Sequence, residues 1–365
     1  MSNPFTNFEN PQMPIIEGAP LDHLLEEGDL LAYLHTNSRR SDEALEQIKT
    51  LEHARKPFMV EPLQSSMDLD ENAENIKQRI KEVHPAAIIV MGGDCQPRLM
   101  ADGLSRIVDR STTKKISLEE LIGMPAIPPM LIQAYGTGND LARSFHGGVG
   151  LDTLMRHGRA IDVHPIKNTV LSPDGTIDVS FSLGSTGAVF LGEAAFQQNH
   201  EGIRNRDSFQ HETMKHLWLT WAMLKALVAT KSVDIQFFDE YSEPEITRSC
   251  FALGAFQTKH FGIHGLTRGR FSSPTLELAT IGRKNSPMMW LKVIQFLGGR
   301  MGIELPTEEV KGPISFRINP RNERHKKGQA RLSRDDTHKD IGWGSRITIE
   351  LAEHTLPIAT TLAIP

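Results

Sequence analysis

The chain has 365 residues, 39% of them hydrophobic and 23% charged, with a formal net charge of -5. That length suits two domains with an ample core, and the acidic balance argues against a generic nucleic-acid binder, which needs a basic surface. The only cysteines, Cys95 and Cys250, are too few for a disulfide framework; Met1 to Phe5 lacks signal-peptide features, and the most apolar stretch, Leu217 to Ala229, is short for a membrane span and holds Lys225. A cytoplasmic location is expected, with any membrane contact peripheral.

Residues 1–28 are polar and contain proline, and read as an N-terminal extension. Leu30 to Leu34 predicts a strand. Asp42 to His53 predicts an amphipathic helix from Ala44, Leu45, Ile48 and Leu51, Phe58 to Val60 a short strand, and Asn72 to Val83 a second helix. Ala86 to Met91 is apolar throughout, as a strand covered on both faces would be. Gly92-Gly93-Asp94-Cys95 follows at once, then a helical stretch from Arg98 to Val108. Met130 to Ala134 repeats the strand, and Tyr135 to Arg143 repeats the glycine turn and helix start. Alternating strands and helices predict a parallel sheet. Glycines let the backbone approach a ligand closely, Asn139 can cap a helix, and the helix start offers free N–H groups to a phosphate. Two such turns after two strands predict one nucleotide cleft, with Asp94 just past a strand's carboxyl end, where an Asp can also serve as a helix cap.

The two turns resemble those of the diacylglycerol and sphingosine lipid kinases, whose kinase domain is related to those of NAD kinases and phosphofructokinases. Gly92-Gly93-Asp94 is similar to the start of the family's GGDGT loop. The run Gly136, Thr137, Gly138, Asn139, Asp140, Leu141, Ala142, Arg143 is similar to its GTGNDxAR segment nearly in full, which is the more specific match. His35 to Arg40 resembles the first NPxSG-type turn, keeping Asn37 and Ser38.

The resemblance implies an α/β N-terminal domain with a parallel sheet over residues 29–147, of the NAD kinase and diacylglycerol kinase type. A mostly β-sandwich C-terminal domain over residues 148–365 follows, its last segment available to return to the first. ATP would bind between them, with Mg²⁺. Asn37, Gly92, Gly93, Asp94, Gly136, Thr137, Gly138, Asn139, Asp140 and Arg143 are then the candidate nucleotide contacts, Asp94 and Asp140 the candidate metal contacts, and Asp94 and Asp335 the candidate catalytic acids. Asp140 also suits a helix cap, and Arg143 an internal ion pair with it.

Several positions depart from the family pattern. Cys95-Gln96 replaces the Gly-Thr of GGDGT, at a cost of about 1 kcal/mol if the loop demands a positive φ there. Ser272 to Glu277 offers one carboxylate where the family pairs two, and Ser333 to His338 offers Asp335 and Asp336 where the family has DGE, with Asp340 a further substitute. His260, His264, Arg268 and Arg270 lie around glycines and suit an anionic head group or a solvated loop. The run Arg321 to Lys327 suits anionic lipid or a loop, and loop is favoured. Asp174 to Val179 looks like the family's acidic segment but lies too early, so Ser172-Pro173-Asp174-Gly175 predicts a hairpin tip. Met214 to Leu224 is apolar nearly all round; a helix covering the sandwich is favoured over a membrane-facing one.

These features predict an ATP- and Mg²⁺-dependent kinase acting on a hydroxyl of a lipid, such as diacylglycerol or a sphingoid or ceramide-like molecule, without nucleic acid and with a homodimer allowed. A kinase for a soluble hydroxyl metabolite, an NAD kinase-like enzyme and a nucleotide- or lipid-binding homologue without catalysis are the alternatives. The NAD kinase reading is disfavoured by the GTGNDLAR run.

Overall fold

A computed structural model of the chain describes residues 19–21, 29–34, 41–54, 59–61, 68–93, 95–109, 126–135, 140–204, 212–238, 244–258, 260–261, 264–265, 275–282, 307–321, 330–335 and 337–361. The first lobe runs β1 (Ala19–Pro20), β2 (Leu30–Leu34), α1 (Ser41–Ala54), β3 (Met59–Glu61), α2 (Leu69–Val83), β4 (Ala87–Gly92), α3 (Cys95–Val108), β5 (Met130–Ala134), α4 (Asp140–His146), α5 (Leu151–His157) and β6 (Arg159–Val163). The second runs β7 (Ile166–Leu171), β8 (Ile177–Ser182), β9 (Ser185–Val189), α6 (Phe190–Arg204), α7 (Glu212–Ala229), β10 (Val233–Phe238), β11 (Pro244–Cys250), β12 (Ala252–Phe256), β13 (His260–Phe261), β14 (His264–Gly265), β15 (Leu276–Ile281), β16 (Glu308–Val310), β17 (Ile314–Asn319), β18 (Ala330–Arg334), β19 (Thr337–Ile341) and β20 (Arg346–Leu351). β21 (Leu356–Thr360) rejoins the first sheet.

The first sheet has the order β1-β6-β21-β5-β4-β2-β3. Its run β3-β2-β4-β5 is parallel, because each strand is followed by a helix that carries the chain back over the sheet. Alternate residues of the parallel strands feed two cores. Leu31, Tyr33, Ile88, Val90, Met130 and Ile132 pack under α2, α3 and α4, while Leu30, Ala32, Ile89, Met91 and Leu131 pack under α1 and α5. α2 shows how local chemistry sets an element: Asp68 caps it by accepting from Asp70 N–H at 2.8 Å, and His84 ends it in the left-handed region at φ 48° with its N–H on Ile80 O.

The expected parallel sheet holds for the strands within residues 29–147, and the sheet continues past β5 at one edge with strands from outside those bounds. β21 runs parallel to β5, but β6 pairs with it antiparallel, and β1 is antiparallel to β6. The reason is connectivity: β6 leads out to the second lobe and β21 leads back, so the two neighbours run in opposite directions.

The second lobe has two six-stranded antiparallel sheets, β11-β10-β17-β20-β7-β8 and β16-β15-β12-β9-β18-β19. Ile235, Phe316, Ile347 and Ile349 of one meet Ala188, Leu253, Ala255 and Leu332 of the other in a shared core. The segment read as a hairpin tip is one: β7 and β8 pair antiparallel, Gly175 has φ 86°, and Thr176 N–H donates to Asp174 Oδ1 at 3.0 Å. α6 and α7 cover the outer face of the second sheet through Phe190, Leu191, Ala194, Met223, Ala226 and Leu227. α7 is only half covered, however. Leu217, Trp221, Leu224 and Val228 form an exposed apolar stripe along its other side.

Candidate active site

Gly92 ends β4, and its register partner on β5 is Ala134; Tyr135 N–H donates to Gly92 O at 3.0 Å. The two glycine turns therefore leave the sheet from neighbouring strand ends at its carboxyl edge, where an open parallel sheet binds ligands. After Gly93 the chain enters α3 at Cys95, with Gln96 N–H on Gly93 O at 2.9 Å. Cys95 takes a helical backbone, so the loss of the family's glycine carries no left-handed penalty. The second turn enters α4 at Asp140, and Arg143 sits half-buried in that helix. Asp94, Asn37, Gly136, Thr137, Gly138 and Asn139 lie outside the described residues, as does the side chain of Asp140.

α3 carries three charged residues one turn apart on a single face, Arg98, Asp102 and Arg106, and that face lies along β8. Asp102 is buried; its Oδ1 accepts Phe181 N–H at 2.6 Å and its Oδ2 accepts Arg106 Nε at 2.8 Å. Arg106 also donates to Asp70 at 2.7 Å and to the Val179 carbonyl. Burial pulls the guanidinium pKa down, but Asp102 and Asp70 hold it above its ordinary value. Helix and strand are thus in antiparallel register, 106 against 179 and 102 against 181. Four helical residues rise about 6 Å and two strand residues about 6.7 Å, so the next step sets Arg98 against Leu183.

Leu183 opens the turn that meets Asp335. The buried Asp335 carboxylate accepts three backbone N–H groups, from Leu183 at 2.5 Å, Gly184 at 2.8 Å and Ser185 at 2.7 Å, and its own N–H returns to Ser185 O at 3.1 Å. Its φ of 40° is left-handed, which an Asp in a turn tolerates. Burial pushes its carboxyl up to about 6, while the three N–H groups and the charge of Arg98 pull the other way. The same turn is fixed from behind, since Gly184 O accepts Gln257 N–H at 2.8 Å and Thr258 N–H at 3.1 Å. A side chain at Gly184 would meet Thr258 Cγ2 at 2.6 Å and Leu141 Cδ2 of α4 at 2.8 Å. The segment 181–185 therefore touches α3, α4 and the β18–β19 turn at once.

The other expected acids are spread apart. Glu277 is buried in β15 and accepts from Thr307 Oγ1 at 3.2 Å; Asp340 on β19 pairs with Arg331 at 2.9 Å; Asp336 lies outside the described residues. His260 and His264 sit on the two-stranded β13–β14 ribbon, while Arg268 and Arg270 lie outside the described residues. Among the described residues no three His, Cys, Asp or Glu side chains converge as a metal cage requires. The described part of the site thus supplies Mg²⁺ no donor set, and Asp94 and Asp140 remain its candidate partners. Asp102, Arg98, Arg334 and the 183–185 turn were not legible as site residues in the sequence. The signal for the helical pair was present, a charge at every fourth position of α3 from Arg98 to Arg106.

A parallel α/β lobe with two glycine turns at adjacent strand ends thus faces an antiparallel sandwich across α3 and β8. Residues 34–169 match the family model of the diacylglycerol kinase catalytic domain. The fold of the chain is similar to that of a diacylglycerol kinase from Bacillus anthracis str. Sterne, with a TM-score of 0.54 at 13% identity over 93% of this chain and 98% of that one. Two further structures from that strain, assigned to the same kinase type, give TM-scores of 0.54 and 0.55 at 13% identity, covering 91% and 90% of this chain and 96% of each of theirs. No curated protein matches the chain. Among the described residues no helix is long and apolar enough to cross a membrane.

Proposed function

We propose that this protein transfers the γ-phosphoryl group of ATP to a hydroxyl group, with a lipid as acceptor. The observation that carries the proposal is the register of β4 against β5, which brings the ends of both glycine-turn strands side by side. Main-chain amides of the two turns would cradle the phosphates, with Asn37, Asn139 and Arg143 on the nucleotide and Asp94 beside the transferred group. Phosphoryl transfer asks chiefly for positioning and charge stabilisation, so a preformed cradle and one carboxylate to take the acceptor's proton form a sufficient minimum. Mg²⁺ carried by the triphosphate would rest on Asp94 and Asp140 and offset phosphate charge. Asp335 serves the acceptor side by holding the 183–185 turn. The lipid choice draws on the family and on the exposed stripe Leu217, Trp221, Leu224 and Val228, an apolar surface suited to a bilayer interface.

The test is transfer of labelled phosphate from ATP to diacylglycerol, sphingosine and ceramide in vesicles, beside a panel of soluble alcohols. Asp94→Asn is expected to lower turnover by roughly a hundredfold or more, the usual worth of a positioned base, while the circular dichroism spectrum stays as in the wild type. Binding of an ATP analogue without transfer to any acceptor would sink the kinase proposal in favour of a binding protein. Activity confined to soluble acceptors would remove the lipid.

A further inference from the structure

Two buried arginines beside this site make no ion pair or side-chain hydrogen bond at their Nε and Nη1 atoms among the described residues. Arg98 and Arg334 are only 5% and 7% exposed, and the Nε and Nη1 atoms of each are sealed from solvent without a hydrogen-bond acceptor among the described residues. The described acids that surround them are already committed. Asp102 is taken by Phe181 N–H and Arg106, Asp335 by three amides, and Asp178 by Lys339 at 2.5 Å. The register of α3 on β8 sets Arg98 against Leu183, whose N–H is held by Asp335, and Arg334 immediately precedes Asp335. Both cations therefore converge on one spot. Arg334 feels the crowding: burial and then the charge of Arg98 bring its pKa down to about 10, which still leaves it charged at pH 7.

A buried charge without a hydrogen-bonded partner costs several kcal/mol, and here two of like sign lie close enough to repel, offset only in part by the charges of Asp335, Asp102 and Asp178. Folding alone gives no return for that arrangement, whereas a bound oxyanion would satisfy both forks with charge-assisted hydrogen bonds. The spot lies on the face of α3 turned to the second lobe, beyond the two glycine turns that the proposed kinase reading gives to the nucleotide. We infer that Arg98 and Arg334 bind an anionic group of the acceptor, so that the hydroxyl compound phosphorylated here carries a phosphate or carboxylate of its own. The inference rests on that reading for the word acceptor; the anion site itself does not.

The experiment follows thermal stability and calorimetric binding of the full chain with inorganic phosphate, alone and with a saturating non-hydrolysable ATP analogue. Wild type should gain melting temperature with phosphate in both conditions. Arg98→Met should lose affinity for phosphate by roughly tenfold or more, the worth of one charged partner, while keeping its affinity for the analogue. Without phosphate the same variant should melt higher than wild type, a gain that a merely structural arginine would not give. Absence of any phosphate effect on wild type overturns the site, and so does loss of phosphate and analogue binding together, which would assign the arginines to the nucleotide. Arg334→Met repeats the test from the other lobe should Arg98→Met fail to fold. Competition by glycerol 3-phosphate in solution, set against vesicles of phosphatidylglycerol, separates a soluble anionic alcohol from a lipid head group. Phosphate bound without any transfer keeps the anion site and sinks the kinase reading; transfer without phosphate binding does the reverse.

Discussion

Asp102 is the residue whose removal should cost the most for the smallest chemical change. Its Oδ1 holds Phe181 N–H at 2.6 Å and its Oδ2 holds Arg106 Nε at 2.8 Å, and its side chain is 1% exposed. Asp102→Asn keeps one acceptor for Phe181 but turns an amide N–H₂ towards Arg106, donor against donor. The loss of a charged hydrogen bond, at about 1.5–3 kcal/mol, sets the expected size of that change. Asp102→Ala also orphans the Phe181 amide and strips Arg106 of its buried partner, for about 3–5 kcal/mol. Against a whole-protein stability of about 5–15 kcal/mol, that is a large share. Asp70→Asn is the control, because Asp70 is 83% exposed and its pairing with the same Arg106 should contribute less than about 1 kcal/mol. Urea unfolding followed by circular dichroism measures all three, and a second transition in the Asp102 variants would report lobes that no longer unfold together. Asp102→Asn within about 0.5 kcal/mol of wild type, or equal to Asp70→Asn, would refute the clamp.

Asp335→Asn should destabilise by about 2–4 kcal/mol, since one amide oxygen can serve Gly184 and Ser185 but the N–H₂ group then faces Leu183 N–H; denaturant midpoints check this, and an unchanged midpoint counts against the turn's dependence on the carboxylate. His354 supplies a pH signature. Burial depresses its pKa from 6.5 to about 4, so its neutral form is favoured by folding; the contribution is complete above pH 6.5 and fades as pH falls towards 4. His354→Phe, which keeps the edge contact to Phe181 at 5.6 Å, should flatten the fall in melting temperature across that window, and curves that stay parallel to wild type would contradict it.

The first lobe was readable because its physics is local. β4 is apolar on both faces since helices cover both, and α1 and α2 show their buried stripes at helical spacing. Errors there fall at helix starts. α3 begins at Cys95 rather than Arg98, because Pro97 disguises a first turn that proline in fact tolerates. α2 begins at Leu69 rather than Asn72, since Asp68 is one of several neighbouring acids able to cap. The second lobe hid its strands where packing demands small residues. β9, Ser185–Val189, looks like a loop in sequence, yet a side chain at Gly187 would meet Leu191 Cδ1 at 2.5 Å. The Asp335 contacts join positions about 150 apart in the chain, which no periodicity can announce.

The same clamp bears on how the cleft can move. Rotating the lobes apart at α3 would pull Phe181 N–H from Asp102 and the Val179 carbonyl from Arg106 together, and Lys167 of β7 from Asp109, with which it pairs at 3.3 Å. Two charged hydrogen bonds at about 1.5–3 kcal/mol each keep such an opened state below roughly 1% of molecules. Any closing motion used in turnover must therefore come from elements other than α3 and β8. A fixed floor is also what the two arginines, unpaired among the described residues, need in order to act on an anion. Their charges are already desolvated and aimed before the ligand arrives, so its charge is met without rearranging solvent or protein, and the cost of assembling the site is carried by the fold. Slow hydrogen exchange at the Phe181 and Leu183 amides, matched to global unfolding, is the expected mark of that floor; exchange at the rate of exposed loops would mean that the lobes part readily and that the arginines are not held in place.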